Sequence, residues 1–366
     1  MLEPDYCRQR QQRLRDVLAE QKLDAAVCAA PAHVYYLTGH WTRWTHQSAV
    51  VIFRDGASWL TSANSPSDRS AADENVAYAA DHLSTLRQEQ PAVVAQQVVR
   101  RLEEDNVRRL GFDASEVNSQ VVGPFDGACE PIDPQLWQLR RCKDPDELAL
   151  MKTAIQCTLA MHRRAKEVVE PGVDEVHVFG QLHAAAVSEA GEPLSALLGN
   201  DYACAAAGGP PRRGRKAAAG ELYILDLGPA YRGYFADNSR TLAVDRQPTD
   251  AQHQAWLAVT GAMTIVEQMA RPGARCQEIF SAVDEHFKVQ RGTGMSHHLG
   301  HGVGLQPHEY PHLNPHWDDV LKEGEVISVE PGQYGAQLAG GIRLENQYLV
   351  TKDGALNLVE FPLDLV

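Results

Sequence analysis

Between positions 296 and 312 the chain reads SHHLGHGVGLQPHEYPH, which gathers five histidines (His297, His298, His301, His308 and His312) into seventeen residues. Imidazole serves as a metal ligand, as a general acid or base, or as polar filler in a loop, so the histidines alone do not decide their chemistry. Two acidic pairs narrow the choice. The segment ELYILDLGPAYRGYFADNSRTLAV (221–244) reads as two strands around a PAYRG turn, with Asp226 and Asp237 equidistant from Tyr231–Arg232. A regular hairpin centred there sets the two carboxylates face to face, with Cβ atoms about 4.5–5.5 Å apart. The segment EVISVEPGQYGAQLAGGIRLENQYLV (325–350) repeats the arrangement, with Glu330 and Glu345 symmetric about Gln337–Leu338. Apolar neighbours such as Ile224, Leu225 and Leu227 predict a half-buried site, and like charges there need a shared proton or a cation. Four carboxylates and one histidine suit two divalent ions, whose charge would offset the carboxylates one for one.

The elements that must hold these groups are legible in outline. The first part reads as α/β. CRQRQQRLRDVLAEQKL (7–23) has helical spacing at Leu14, Val17 and Leu18, and DAAVCAA and HVYYLTG follow as short apolar runs. SAVVIFRDGASWLTSA carries a hairpin signal at Asp55-Gly56. A helix over 92–105 and a strand-like RRLGFDA complete a small open sheet with helices. A boundary falls at 139–145, where Asp144, Pro145 and Glu147 in RRCKDPDELALM form a capping-box helix start. This divides the chain into an N-terminal domain over 1–138 and a second domain over 139–366. In the second domain, EPGVDEVHVF (170–179) is echoed by RPGARCQEIF (271–280), each followed by a strand pair with acidic residues, which reads as two similar halves packed together.

Composition bounds the rest. The chain has 366 residues, enough for two cores, and a net charge of −14, which argues against nucleic acid as the main partner. The sequence shows neither a secretory h-region at its start nor a long apolar span, and its seven scattered cysteines contain no CxxC spacing. These features predict a cytoplasmic protein with reduced thiols and no membrane partner.

The ordered motifs resemble the creatinase/aminopeptidase P/methionine aminopeptidase superfamily, the pita-bread metallopeptidases. The family order Asp, Asp, His, Glu, Glu is matched by ILDLG (Asp226), YFADNSRT (Asp237), GHGVG (His301), SVEPG (Glu330) and GIRLEN (Glu345). HVYYLTGH (33–40) is similar to the family's creatinase-type N-terminal domain, which favours the Xaa-Pro dipeptidases and aminopeptidases over methionine aminopeptidases. The resemblance implies an N-terminal creatinase-type α/β domain, a C-terminal pita-bread domain with an internal pseudo-twofold repeat, and a dinuclear peptidase hydrolysing Xaa-Pro bonds in dipeptides or short peptides. It implies that Asp226 holds one ion, His301 and Glu330 the other, and that Asp237 and Glu345 bridge them. The ions would acidify a bridging water, and the resulting hydroxide would attack the scissile carbonyl. Glu330 would move the proton, and His308 and His297 would face the substrate and steady the oxyanion. Arg343, two residues before Glu345, is expected to fix a carboxylate through a forked hydrogen bond, or else to be a surface arginine. His298 and His312 receive no role. Oxygen-rich ligation suits manganese, with zinc, cobalt or iron as alternatives.

One departure concerns the substrate. Proline peptidases of this family carry a histidine before the first aspartate, yet residues 184–252 contain none. The run Arg212, Arg213, Arg215 and Lys216 stands near that place and, as a cationic loop, would favour a substrate with a free carboxylate beside the cut, such as an Xaa-Pro dipeptide. The alternative is a metal-dependent small-molecule C–N hydrolase or lyase on the same scaffold. A metal-free binding module is disfavoured because all five ligand positions are filled. A homodimer is expected, with Trp41, Arg43 and Trp44 near a partner's active-site rim.

Overall fold

The computed structural model describes residues 1–42, 45–115 and 119–366, which divide into two units, Met1–Arg140 and Arg141–Val366. In the first, six strands form a mixed sheet in the order Glu74–Tyr78, Ser58–Ala63, Ala49–Phe53, Ala25–Cys28, Arg109–Phe112 and Ala128–Pro131. The Asp55-Gly56 turn closes a hairpin, with Ile52 paired to Ser58. The helix predicted from Leu14 and Leu18 spans Pro4–Gln21, and both leucines are fully buried. The run around HVYYLTG is a helix, Pro31–Thr38. Pro31 opens its first turn and Gly39 ends it at φ 73, a left-handed cap that glycine adopts without steric cost. Trp41 is half exposed and packs edge-on to Tyr35 at 4.9 Å, whereas Arg43 and Trp44 lie outside the described residues.

The first helix of the second unit is capped by Asp144, as its capping box requires, with the Asp144 N–H donating to Glu147 Oε2 at 2.8 Å. It contains two successive helix–helix–sheet halves. Helices Pro145–Val168 and Glu175–Ala190 precede a four-stranded sheet built on Leu222–Tyr231. Helices Asp250–Met269 and Cys276–Arg291 precede a five-stranded sheet. The two Pro-Gly turns behave alike: Asp174 bridges to Lys216 in the first half and Arg275 to Val320 in the second. Each half buries its own core. Met161, Val178, Leu182, Tyr223 and Leu225 pack in the first, and Val259, Val266, Val283, Phe287 and Ile327 in the second. Each fully buried aliphatic of this kind contributes about 1.5–3 kcal/mol.

The halves are stitched along the strand Asn238–Ala243. Glu345 N–H donates to Ser239 O at 3.0 Å, and Arg343 N–H donates to Thr241 Oγ1 at 3.0 Å. Arg240 is buried in this seam, and its guanidinium donates to Ser239 O (2.8 Å), Glu345 O (2.7 Å), Asn346 Oδ1 (2.8 Å), Phe361 O (3.1 Å) and Pro362 O (2.9 Å). One buried cation therefore satisfies the backbone of both halves and of the C-terminal segment. Burial pulls its pKa down to about 10, against the raising effect of the Glu345 charge. Among the described residues no helix is long and apolar enough to cross a membrane, and none of the seven cysteines is paired.

Candidate metal centre

The hairpin carrying the two aspartates differs in register from the sequence expectation. Tyr231 pairs with Tyr234, so the turn is Arg232-Gly233, both at positive φ (46° and 89°), the type I′ geometry of a two-residue hairpin. The centre moves by one residue, and Asp226 lies opposite Ser239 rather than Asp237. Asp237 sits in the break between Tyr234–Phe235 and Asn238–Ala243, two residues from that partner and therefore on the same face. Its place is fixed by Gln347, whose Oε1 accepts from the Asp237 N–H at 3.1 Å and from Asn238 Nδ2 at 3.2 Å. The glutamate pair follows the expected symmetry. Val329 pairs with Asn346 and Gly332 with Arg343, so Glu330 and Glu345 fall at matching steps where the chain passes between two sheets.

His301 lies in the short strand Gly300–Gly302 between Glu309–Leu313 and Val326–Val329. A Cβ on Gly300 would collide with Ser328 O and one on Gly302 with Tyr310 O. Glycine on both sides is thus what lets the neighbouring strands close on the histidine.

The five predicted ligands converge. Ligand atoms of Asp226, Asp237 and Glu345 lie within 4.8 Å of one another, as do those of His301, Glu330 and Glu345. His301 Nε2 is 3.4 Å from Glu330 Oε1 and 3.7 Å from Asp237 Oδ2, so Asp237 and Glu345 stand between the two groups. All five are buried. The donor set fits divalent cations on a direct observation: Asp226 Oδ1 and Glu345 Oε2 are buried with no hydrogen-bond partner. Glu345 Oε1 has only the Ser328 hydroxyl, at 2.7 Å, and that hydroxyl is shared with Asp237 O at 2.8 Å. An anionic oxygen without donors in a dry site calls for a cation or a proton.

The electrostatics agree. Burial pushes the Asp226 and Glu345 carboxyls far above the usual range, with their anionic neighbours adding to it. Burial lifts Asp237 to about 7 although the His301 charge opposes it. Burial would lower His301, but the Glu330 hydrogen bond and the Asp237 charge prevail and raise it to about 9. Glu330 is the exception: burial is outweighed by its bond to His301 and the His298 charge, and its pKa falls. In the absence of an ion the cluster therefore gathers protons, as four crowded carboxylates must.

The remaining predicted residues adjoin this centre. His308 stacks on His301 with ring centroids 3.7 Å apart, and burial with the His301 charge lowers it to about 4. His297 Nε2 is 2.8 Å from the Tyr334 hydroxyl. Arg343 is buried, which excludes the surface reading, yet it does not form the expected fork on one carboxylate: its Nη2 donates to Asp226 Oδ2 at 2.8 Å and also meets Asp201. His298, given no role by sequence reasoning, places Nε2 3.3 Å from Glu330 Oε1. His312 is the cross-strand partner of His301, is held by Asp319 at 2.9 Å and stacks on Trp317. Tyr334 was also missed. Its ring covers Gly332 and Gly341, where any Cβ would strike it. The basic loop is not a free cationic patch. Arg212 is bound to the buried Glu175 (2.6 Å) and Arg215 pairs with Glu221 (2.5 Å), so only Arg213 of the three arginines extends unpaired.

Comparisons with known proteins identify the family and the fold. Residues 149–352 match metallopeptidase family M24, and residues 10–142 match the creatinase/prolidase N-terminal domain. The chain belongs to metallopeptidase family M24. A Xaa-Pro dipeptidase of Pyrococcus furiosus is 30% identical over 238 residues, covering 64% of this chain and 68% of the relative. The fold superposes on a Xaa-Pro dipeptidase from Bacillus anthracis with a TM-score of 0.86 at 22% identity, covering 98% of this chain and 99% of the other. It also superposes on an X-Pro aminopeptidase from Thermotoga maritima (TM-score 0.79, 21% identity, 97% and 98% covered). The protein is thus a metallopeptidase of a family that uses divalent metals, with a creatinase-like N-terminal domain and a pita-bread catalytic domain.

Proposed function

We propose that this protein is a two-metal peptidase that cleaves Xaa-Pro bonds in dipeptides or short peptides. The observation that carries the reading is the pair of three-ligand groups sharing Glu345, with Asp237 beside both and two buried carboxylate oxygens left without donors. Asp226, Asp237 and Glu345 would hold one ion, and His301 and Glu330, with Asp237 and Glu345, the other. Manganese suits this oxygen-rich set, and zinc, cobalt or iron are the alternatives. Bound there, the ions supply the charge that offsets the carboxylates and acidifies a water.

The chain's own residues supply the rest. Glu330 keeps its carboxylate form beside His298 and His301, so it can accept a proton and pass it to the leaving nitrogen. His308 remains neutral at pH 7, and its N–H can donate to a carbonyl oxygen as that oxygen gains charge. His297, braced by Tyr334, would face the substrate beside it. A prolyl nitrogen has no N–H, so a site that acts on the carbonyl loses nothing when the bond precedes proline. The short-peptide substrate, a homodimer and a cytoplasmic setting belong to this reading.

The test is metal analysis of the purified chain followed by a panel of Xaa-Pro dipeptide, Xaa-Pro amide and longer Xaa-Pro peptide with and without manganese. Manganese-dependent release of the N-terminal residue supports the proposal. Two bound ions with none of the peptides cleaved would favour the small-molecule C–N hydrolase, which the absence of histidine over 184–252 also motivates.

A further inference from the structure

Arg343 meets two carboxylates closely, and its Nε lies 4.0 Å from a third, Glu330 Oε2. Its Nη2 donates to Asp226 Oδ2 at 2.8 Å and also meets Asp201 Oδ2, while Nη1 lies 3.4 Å from the Tyr334 hydroxyl. Asp201 stands in the strand Ala196–Cys204 at the position paired with Asp226. Its second oxygen, Oδ1, accepts the Gly209 N–H. A Cβ on Gly208 would fall 2.5 Å from Asp201 Oδ2, at a φ of +146° that L-residues rarely adopt. Glycine at 208 is therefore what allows the loop after this strand to close on the carboxylate. The far side of the loop is fixed as well. The buried Glu175 accepts from Cys204 N (2.9 Å), Arg212 N (2.7 Å) and Arg212 Nη2 (2.6 Å). Asp201 is thus held from both directions: by the loop on one oxygen and by Arg343 on the other.

We propose that Asp201 is a positioning residue of the metal centre, which shares the Arg343 charge and so keeps Asp226 available to a cation. Asp226 Oδ1 is buried without a partner, while Oδ2 carries the guanidinium. With Asp201 ionised, the Nη2 of one cation is divided between two anions. Without that charge, Arg343 becomes a full counter-ion for Asp226 and competes with any metal held by Asp226, Asp237 and Glu345. Arg343 reaches Glu330 Oε2 only through Nε, at 4.0 Å and without a hydrogen bond, so the ion on His301 and Glu330 should feel this contest less. The inference rests on the two-ion reading above.

The test is calorimetric titration of the chelator-stripped full chain with manganese, alongside Asp201→Asn, Arg343→Gln and the double variant. Asparagine retains an oxygen for the Gly209 N–H, while the charge is lost and an amide NH2 replaces the oxygen that meets Arg343. Changes to groups that orient metal ligands typically cost about 10–100-fold in affinity. The expected result is two manganese ions on the wild type and, in Asp201→Asn, one site weakened by about 10–100-fold with the other within about twofold. In the Arg343→Gln background the Asp201→Asn change should have no further effect, because the residue acts through the arginine. Gly208→Ala, which displaces the carboxylate without removing its charge, should produce the same selective loss and serves if Asp201→Asn does not fold. Two ions bound with wild-type affinities in Asp201→Asn and Gly208→Ala overturn the proposal while leaving the two-ion reading intact. An undiminished effect of Asp201→Asn in the Arg343→Gln background also overturns it. A wild type that binds no divalent ion overturns both.

Discussion

Stripping the metals should make the stability of the protein depend on pH in a direction set by its own ligands. His301 has its pKa raised to about 9 in the fold against 6.5 as reference. A histidine with a raised folded pKa lends stability that is complete below the unfolded value and is lost as pH rises through the folded one. Linkage between these two values removes about 2 kcal/mol between pH 7 and pH 9. Asp237, raised to about 7, acts in the same sense: the folded state holds the proton longer than the unfolded chain, so deprotonation costs stability as pH rises. Most of its cost is already present at pH 7, so it adds little above that. Asp226 and Glu345 are raised further and share the sign. His298 and His308 are lowered, so their change falls below pH 6.5, outside the window. A unit of this size shifts its melting temperature by about 2–4 °C per kcal/mol, so the stripped protein should melt about 4–8 °C lower at pH 9 than at pH 7. Bound metal holds the histidine neutral and the carboxylates ionised at both pH values, so the loaded protein should lack this difference. Scanning calorimetry of chelated and manganese-loaded samples in matched buffers reads both. Equal slopes in the two samples would refute the reasoning, because the titrating groups would then not be the metal ligands.

The other expectations are more direct. Asp237→Asn should abolish peptidase activity and lower metal content measured by mass spectrometry; full activity would refute the dinuclear reading. His308→Ala should retain the metals and lose about 10²–10³ in turnover, as removal of one oxyanion donor does; loss of metal instead would mean that the roles of His301 and His308 are exchanged. Arg240→Met should leave several buried carbonyls without donors, at about 1–3 kcal/mol each, so a clear fall in melting temperature is expected, and an unchanged one would show that the seam tolerates the loss. Sedimentation at micromolar concentration should give a dimer, and a monomer would remove the idea that Trp41 lies near a partner's site.

What the sequence revealed and what it hid follow from the range of the interactions involved. Asp226, Asp237, His301, Glu330 and Glu345 were readable because each sits in a short motif whose composition reflects its backbone: glycines around His301 admit two adjacent strands, and a Pro-Gly after Glu330 breaks the strand at the site. The capping box at Asp144 and the hairpin at Asp55-Gly56 are local for the same reason. The Asp226–Asp237 register was misjudged by one step because a symmetric reading cannot tell Tyr231-Arg232 from Arg232-Gly233 as the turn, and only the second offers a glycine at positive φ. Asp201, Tyr334 and His298 were hidden because their partners are 142, 37 and 32 positions away respectively, the first pair set by the packing of the two halves and the other two by the folding of the second half, rather than by neighbouring residues.

The same distinction bears on the substrate. A cluster of basic residues in sequence predicts a cationic surface only if no buried anion claims them, and that depends on the helix Glu175–Ala190, more than twenty residues upstream of the loop. Glu175, fully buried, is lowered in pKa because the Arg212 bonds outweigh its burial, and it spends the Arg212 charge inside the fold. Arg215 is spent on Glu221 in the same way. The loop is better described as a clasp that sets Gly208 and Gly209 against Asp201 than as a receptor for a carboxylate. If that is its role, Arg213→Ala should leave the ratio of rates on Xaa-Pro acid and Xaa-Pro amide unchanged, whereas a selective loss on the acid would show that the one unpaired arginine of the loop reads the substrate's carboxylate.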